Sequence, residues 1–226
     1  MQRTFHSLAL LIVFTGGAVA QIDPDLPRLP APVIVAERLA DRLVKLDAES
    51  GEIVDHALDP EVALDHFLFY YSAGWSPTCQ KFTPALIQFY NEKRAAGAKF
   101  EIVFVSFDDS EEEMEEYITS AKMPWPALRF GAIEIAPAAA RDDDEDGEDA
   151  KAKEDNPLDF VRRAAGRGVP CIAVMDSRGL ILAHSYRRRR DYLGAEKPLE
   201  EFAKILGEVA EERAEEARPA SEGDGE

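Results

Sequence analysis

Two short segments of this sequence carry residue types capable of thiol chemistry. The first reads WSPTC at residues 75–79, and the second reads VPC at residues 169–171. Their cysteines, Cys79 and Cys171, are the only two in the chain. Two cysteines are too few for a multi-disulfide scaffold or for a cysteine-rich zinc or iron–sulfur site. The chemistry open to them is that of separate thiols or of one pair.

Helix initiation accounts for much of the first segment without any catalytic role. Ser76 is a favoured N-cap residue, and Pro77 suits the first helical position. Cys79 then falls in the first helical turn, where the helix dipole favours a thiolate. The alternative is a buried cysteine that acts as a small apolar side chain. An activated Ser76 has no support, because no arrangement of histidine and carboxylate can be argued beside it.

Apolar patterns predict the strands that must position these segments. Nearly continuous apolar runs predict central strands covered on both faces, at residues 66–71 and 100–107. Alternating or short extended runs predict two hairpins, one from residues 43–46 and 53–58 and one from residues 171–176 and 180–185.

Helical spacing and capping residues predict the helices between these strands. They lie at about residues 77–95, after Ser110, after Asn156-Pro157, and from Pro198 onward. The resulting order, with a parallel start and an antiparallel finish, predicts an α/β protein with a mixed central sheet and helices on both faces.

Four motifs in this order resemble the tryparedoxin and nucleoredoxin branch of the thioredoxin-like superfamily. They are YYSAGWSPTCQKFTPALIQFYNE (70–92), FEIVFVSFDDS (100–110), MPWPALRF (123–130) and GRGVPCIAVMD (166–176). The resemblance implies a thioredoxin-like fold over residues 40–212, here with an N-terminal β-hairpin extension. Residues 131–155 depart from the family pattern and are predicted to be an acidic insertion.

The resemblance also implies a thiol–disulfide site with one member missing. The family motif is WCxxC, and Ser76 stands at the position of the attacking cysteine. A serine hydroxyl does not ionise at neutral pH and cannot form a disulfide. Cys79 matches the second, resolving cysteine, and Pro170 matches a cis-proline that faces the active site.

Further site residues follow from the same resemblance. Trp75, Pro77, Val169, Pro170 and Trp125 are expected to line a client-binding groove. Cys171 would approach Cys79, so a disulfide or a reversible dithiol pair is a hypothesis, with two separate thiols as the alternative. The motifs imply no cofactor, and the histidines show no metal-ligand spacing, so no metal site is expected.

The termini and the charge predict where the protein acts. Residues 1–20 resemble a cleaved secretory signal peptide, so we expect an extracytoplasmic location, periplasmic or secreted, with no membrane attachment after cleavage. Residues 21–39 are predicted to be a linker, and residues 213–226 an acidic disordered tail. The net charge of −18 disfavours nucleic acid as a partner.

Two function classes remain open at this point. The first is a thiol–disulfide oxidoreductase of atypical mechanism that uses Cys79, with or without Cys171. The second is a redox-inactive module, client-binding or chaperone-like, that uses the cis-proline groove. Thiol- or disulfide-containing proteins are the expected clients in the first class, and a monomer is expected. Whether the chain is an enzyme is left undecided, because fold alone does not fix function.

Overall fold

The computed structural model describes residues 35–133, 156–188 and 191–216. Within them the helices are α1 (Val35–Leu39), α2 (Pro77–Ala95), α3 (Glu111–Ala121), α4 (Asp159–Arg163) and α5 (Glu196–Glu216). The strands are β1 (Leu43–Leu46), β2 (Ile53–His56), β3 (His66–Ser72), β4 (Phe100–Ser106), β5 (Ala127–Leu128), β6 (Cys171–Asp176) and β7 (Ile181–His184).

The strands form one mixed sheet in the order β2-β1-β5-β4-β3-β6-β7. Strands β3 and β4 run parallel, since α2 carries the chain back between them, whereas β6 lies antiparallel to β3. The turn between β6 and β7 closes with Gly179 at φ 88°. The predicted thioredoxin-like α/β fold with a mixed sheet is confirmed.

Successive side chains of β3 point to opposite faces of the sheet and pack into two separate hydrophobic clusters. Leu68 and Tyr70 point to one face, where α2, α3 and α5 contribute their buried side chains. Phe67, Phe69 and Tyr71 point to the other face, which α1 and α4 cover. Successive side chains of a strand leave opposite faces of the sheet, so a strand covered on both faces is apolar throughout.

The helix near the start of the described region lies inside the segment predicted to be a linker. Val35 and Leu39, one helical turn apart, are fully buried in the same cluster as Phe67 and Phe69. The backbone N–H of Val35 also donates to the carbonyl of Ser177 at 3.1 Å. Residues 35–39 are therefore part of the domain, and the linker prediction is wrong for them.

The last helix exceeds its predicted length at both ends. It begins at Glu196 rather than at Pro198 and continues to Glu216, into the segment predicted to be a disordered tail. An ion pair between Arg213 and Asp65, 2.5 Å apart, fastens its final turns to the residue before β3. Strand β5 was not predicted, because two residues are too short to show a periodic pattern.

Several predicted segments fall outside the described residues. These are the signal peptide (1–20), the linker up to residue 34, residues 134–155 of the acidic insertion, and residues 217–226 of the tail. Among the helices that are described, none is long and apolar enough to cross a bilayer.

Candidate functional site

The WSPTC segment lies between the end of β3 and the start of α2. Ser76 is the N-cap of α2, with an extended backbone, and its Oγ accepts a hydrogen bond from the N–H of Cys79 at 3.4 Å. Pro77 is the first helical residue and is exposed. The predicted helix start is confirmed, and the hydroxyl of Ser76 serves as a backbone acceptor.

Cys79 is fully buried in the first turn of α2. Its side chain belongs to the cluster that contains Tyr70, Phe82 and Phe104. Its carbonyl accepts a hydrogen bond from Thr83 Oγ1 at 2.9 Å. An external disulfide therefore cannot reach this sulfur unless the start of α2 moves, because thiol–disulfide exchange needs direct access to the thiolate.

The second segment enters the sheet at the same end. Cys171 pairs with Tyr71, so the residues that precede β6 lie beside those that follow β3. The Val169–Pro170 peptide bond is cis. Pro170 is buried and Val169 is half-buried. The topology thus brings residues 75–79 and 169–171 together, as the resemblance implied.

The hypothesis of a Cys79–Cys171 disulfide is wrong for this structure. Both cysteines are buried thiols rather than half-cystines. Cys171 packs with Phe69 and Tyr71, which lie on the sheet face opposite that of Cys79. Side chains on opposite faces point apart, and a disulfide between them would need a backbone shift.

The two tryptophans, both predicted to line the groove, have different environments. Trp75 is 59% exposed, and its Nε1–H donates to the carbonyl of Phe107 at 3.0 Å. Trp125 is buried in the core, where its ring contacts Tyr70 and Tyr90. Trp125 therefore does not line the groove: it follows α3 into the interior, where no client reaches it.

A cleft of about 690 Å³ opens beside Trp75, between α2 and α3. Gly74, Trp75, Thr83, Asp108 and Glu116 are among the residues that line it. Beneath it, Thr83 Oγ1 and the hydroxyl of Tyr117 share a hydrogen bond of 2.6 Å.

Asp108 was missed by the sequence reasoning. Its carboxylate accepts the N–H of Gly74 at 2.7 Å and the hydroxyl of Ser106 at 2.7 Å. Burial raises the pKa of this carboxyl group, against the opposing effect of its two hydrogen bonds. Its position just after a parallel strand was the available signal, since such loops meet at the carboxyl edge of the sheet.

Tyr192 was also missed, and here the sequence carried no signal. Its side chain is 45% exposed, and its hydroxyl donates to the carbonyl of Pro170 at 2.6 Å. Tyr192 and Tyr186 form an isolated antiparallel β-bridge beyond the end of β7. Tyr192 thereby places a second exposed aromatic ring at the end of the sheet where α2 begins.

Fold and site together define a thioredoxin-like protein, and comparison with known families agrees. A family model described as Thioredoxin-like matches residues 65–181, just over half of the chain. The chain belongs to this thioredoxin-like family, so the predicted resemblance is confirmed.

Its relatives include tryparedoxins and nucleoredoxins. Tryparedoxin of Trypanosoma brucei brucei is 42% identical over 83 residues, which are 37% of this chain and 53% of that protein. Nucleoredoxin of Bos taurus is 30% identical over 122 residues, which are 54% of this chain and 23% of that protein. The chain matches 11% to 53% of the length of these and the plant nucleoredoxins.

Among solved structures, tryparedoxin II complexed with glutathionylspermidine is similar at a TM-score of 0.45. It is 24% identical, and the match covers 67% of this chain and 86% of that one. A thioredoxin from Wuchereria bancrofti gives a TM-score of 0.46 at 22% identity, with 79% of this chain and 96% of that chain covered.

Proposed function

We propose that this chain is an exported thioredoxin-like protein that binds clients without two-thiol exchange. Its client surface is centred on the exposed Trp75 and the half-buried Val169, with the buried Ser76 and Pro170 beneath them, at the end of the sheet where α2 begins. The observation that carries the proposal is that Ser76, which the motif resemblance aligns with the attacking cysteine, is the N-cap of α2 and its hydroxyl accepts a backbone hydrogen bond. The burial of both thiols supports it further.

The chemistry of exchange explains why the serine is decisive. A thiolate attacks one sulfur of a client disulfide, forms a mixed disulfide and releases the other client sulfur as a thiolate. A second thiolate then attacks the mixed disulfide, so the protein pair is oxidised by two electrons and the client is reduced. Ser76 cannot take the first step, and a mixed disulfide on Cys79 would have no resolving thiol at residue 76.

The retained features of the surface support a binding role. Trp75 remains exposed, and the half-buried Val169 offers backbone groups for an extended client segment, as in β-strand addition. Family members act on thiol or disulfide substrates in general. We therefore propose thiol- or disulfide-containing proteins as clients of a monomer that resides outside the cytoplasm.

A second candidate function is supported by the retention of Cys79 in the first turn of α2. If the start of the helix opens, the Cys79 thiolate could attack a client disulfide, forming a mixed disulfide with one client sulfur and releasing the other as a thiolate. The chain would then act as a one-thiol trap rather than as a reductase.

Restoring the missing thiol tests the first proposal. We expect Ser76→Cys to catalyse insulin reduction by dithiothreitol at least roughly tenfold above the uncatalysed rate, because the new thiolate would sit at a helix N-terminus. The unmodified protein should stay at background. Ser76→Ala, which removes the same hydroxyl without adding a thiol, should also stay at background and should lose about 1 kcal/mol of stability with the N-cap.

Two results would contradict the proposal. Turnover by the unmodified protein that disappears in Cys79→Ser would show that the chain acts as an oxidoreductase through Cys79. A Ser76→Cys protein that folds but stays at background would show that the surrounding surface no longer accepts a disulfide.

A further inference from the structure

Two tyrosines beyond β7 hold the loop that leads into Pro170. Their rings lie against each other, with centroids 5.0 Å apart. Tyr186 contacts the beginning of the loop: a Cβ placed on Gly166 would lie 2.3 Å from the Tyr186 ring. Tyr192 contacts its end through the hydrogen bond to Pro170. We call Tyr186 and Tyr192 the tyrosine brace.

A histidine connects the brace to the same loop. His184 Nδ1 accepts the backbone N–H of Tyr186 at 3.0 Å, so its Nε2 carries the hydrogen and donates to the carbonyl of Ala164 at 2.8 Å. The loop from Ala164 to Pro170 is therefore held at three points, by His184, Tyr186 and Tyr192.

The hydroxyl of Tyr192 can be removed without removing the other contacts that hold this part of the chain. Its ring is nearly half exposed, so the hydroxyl is the part of the side chain that acts on the loop. The backbone beside it is held independently, because Leu193 N–H donates to the carbonyl of Ser185 at 2.8 Å. Burial raises the pKa of the Tyr192 hydroxyl, and the nearby Cys171 raises it further. The hydroxyl is therefore a neutral donor at physiological pH.

We infer that Tyr192 is a positioning residue of the client surface, a role that rests on the proposed function. By holding the carbonyl of Pro170, it fixes the orientation of the adjacent Val169–Pro170 backbone. Hydrogen bonds weaken steeply as their angles depart from linearity, so a client strand needs that backbone in one orientation. The exposed ring of Tyr192 also gives the client an aromatic contact close to Pro170.

The test compares Tyr192→Phe, which keeps the ring and removes the hydroxyl, with a control on the opposite edge of the sheet. Val54→Thr on β2 is that control, since β2 and β7 are the two outer strands and Val54 is exposed. The probe is fluorescein-labelled, S-carboxymethylated insulin B chain, which has no thiol to exchange. Binding is measured by fluorescence anisotropy.

We expect Tyr192→Phe to weaken binding about threefold to tenfold, because the client must then order a loop that one hydrogen bond within the protein no longer holds. Val54→Thr should bind as the unmodified protein does and melt within about 2 °C of it, whereas Tyr192→Phe should melt at most about 6 °C below it, the shift expected from the loss of one hydrogen bond in a domain of this size. The carbonyl ¹³C resonance of Pro170 should shift in Tyr192→Phe and stay in place in Val54→Thr.

Each failure has a distinct signature. Equal binding by Tyr192→Phe and the unmodified protein, or an unmoved Pro170 resonance, would overturn the positioning role alone. An unmodified protein that binds neither this probe nor labelled insulin with its disulfides intact, although the Pro170 resonance shifts in Tyr192→Phe, would overturn the proposed function and with it the role of Tyr192.

Discussion

Replacing Gly166 by alanine tests how tightly the tyrosine brace closes on the loop before Pro170. The added Cβ would lie 2.3 Å from Tyr186 Cε2 and 2.8 Å from Cys171 Sγ. Carbon atoms in favourable contact are about 3.5–4.0 Å apart, so the ring, the sulfur or the loop must move. Overpacking of this kind costs about 1–3 kcal/mol.

Gly168 offers a matched control two residues further along the same loop. A Cβ there would meet only the Tyr186 hydroxyl oxygen, at 3.5 Å, which is an ordinary contact. Both substitutions lower the entropy of the unfolded chain, an effect worth about 0.4–1 kcal/mol in favour of folding. This gain is common to the two variants, so the difference between them isolates the clash.

We expect Gly166→Ala to melt about 2–12 °C below Gly168→Ala, from 1–3 kcal/mol at roughly 2–4 °C per kcal/mol for a domain of this size. The assay is thermal unfolding followed by circular dichroism. Adding Tyr186→Ala to each variant should reduce the difference, because it removes the clash with the ring and leaves only the contact of the new methyl group with Cys171 Sγ. Equal melting temperatures for the two alanine variants would refute the tight contact between Tyr186 and Gly166.

Two further predictions concern the pH dependence of stability. Glu101 Oε1 accepts hydrogen bonds from Tyr90 and Ile102. Burial raises the pKa of this carboxyl group, so protonated Glu101 contributes to the free energy of unfolding at low pH, and that contribution is lost as pH rises above the ordinary pKa of 4.5. We expect the free energy of unfolding of Glu101→Gln, from urea titrations, to fall less between pH 4.5 and pH 7 than that of the unmodified protein; an identical slope would contradict this. Burial lowers the pKa of His184. Neutral His184 therefore contributes to the free energy of unfolding above the ordinary histidine pKa of 6.5, and that contribution is lost as pH falls below it. Urea titrations at pH 7.5 and pH 5 should show a smaller loss of stability on acidification in His184→Gln, and a loss as large as in the unmodified protein would argue against a neutral, half-buried His184.

Local patterns were sufficient for most of the fold. The apolar runs of β3 and β4 predict strands covered on both faces, and the Ser-Pro pair at residues 76–77 predicts the start of α2, because both signals depend on neighbouring residues alone. The prediction failed for the shortest elements, because a strand or helix of a few residues shows no clear hydrophobic pattern. Strand β5 has two residues, and helix α1 has five, and each is held by partners distant in sequence.

The candidate site was predicted less completely, for the same physical reason. Trp75 and Trp125 both occur in family motifs, yet one lies at the surface and the other in the core. Asp108 and Tyr192 act on Gly74 and Pro170 through contacts between residues 34 and 22 positions apart. The hydrophobic pattern of one helix or strand does not predict which side chains from other helices or strands will contact it.

The sequence by itself determined that residue 76 has no thiol, that a helix begins there, and that the strands follow a thioredoxin-like order. Those properties reside in side-chain chemistry and in local hydrophobic spacing. The tertiary structure alone decided that Cys79 and Cys171 lie on opposite faces of the sheet and that Tyr192 reaches Pro170. The register of β6 against β3 and the path of the chain beyond β7 set these contacts, because pairing and packing bring together residues that the sequence separates.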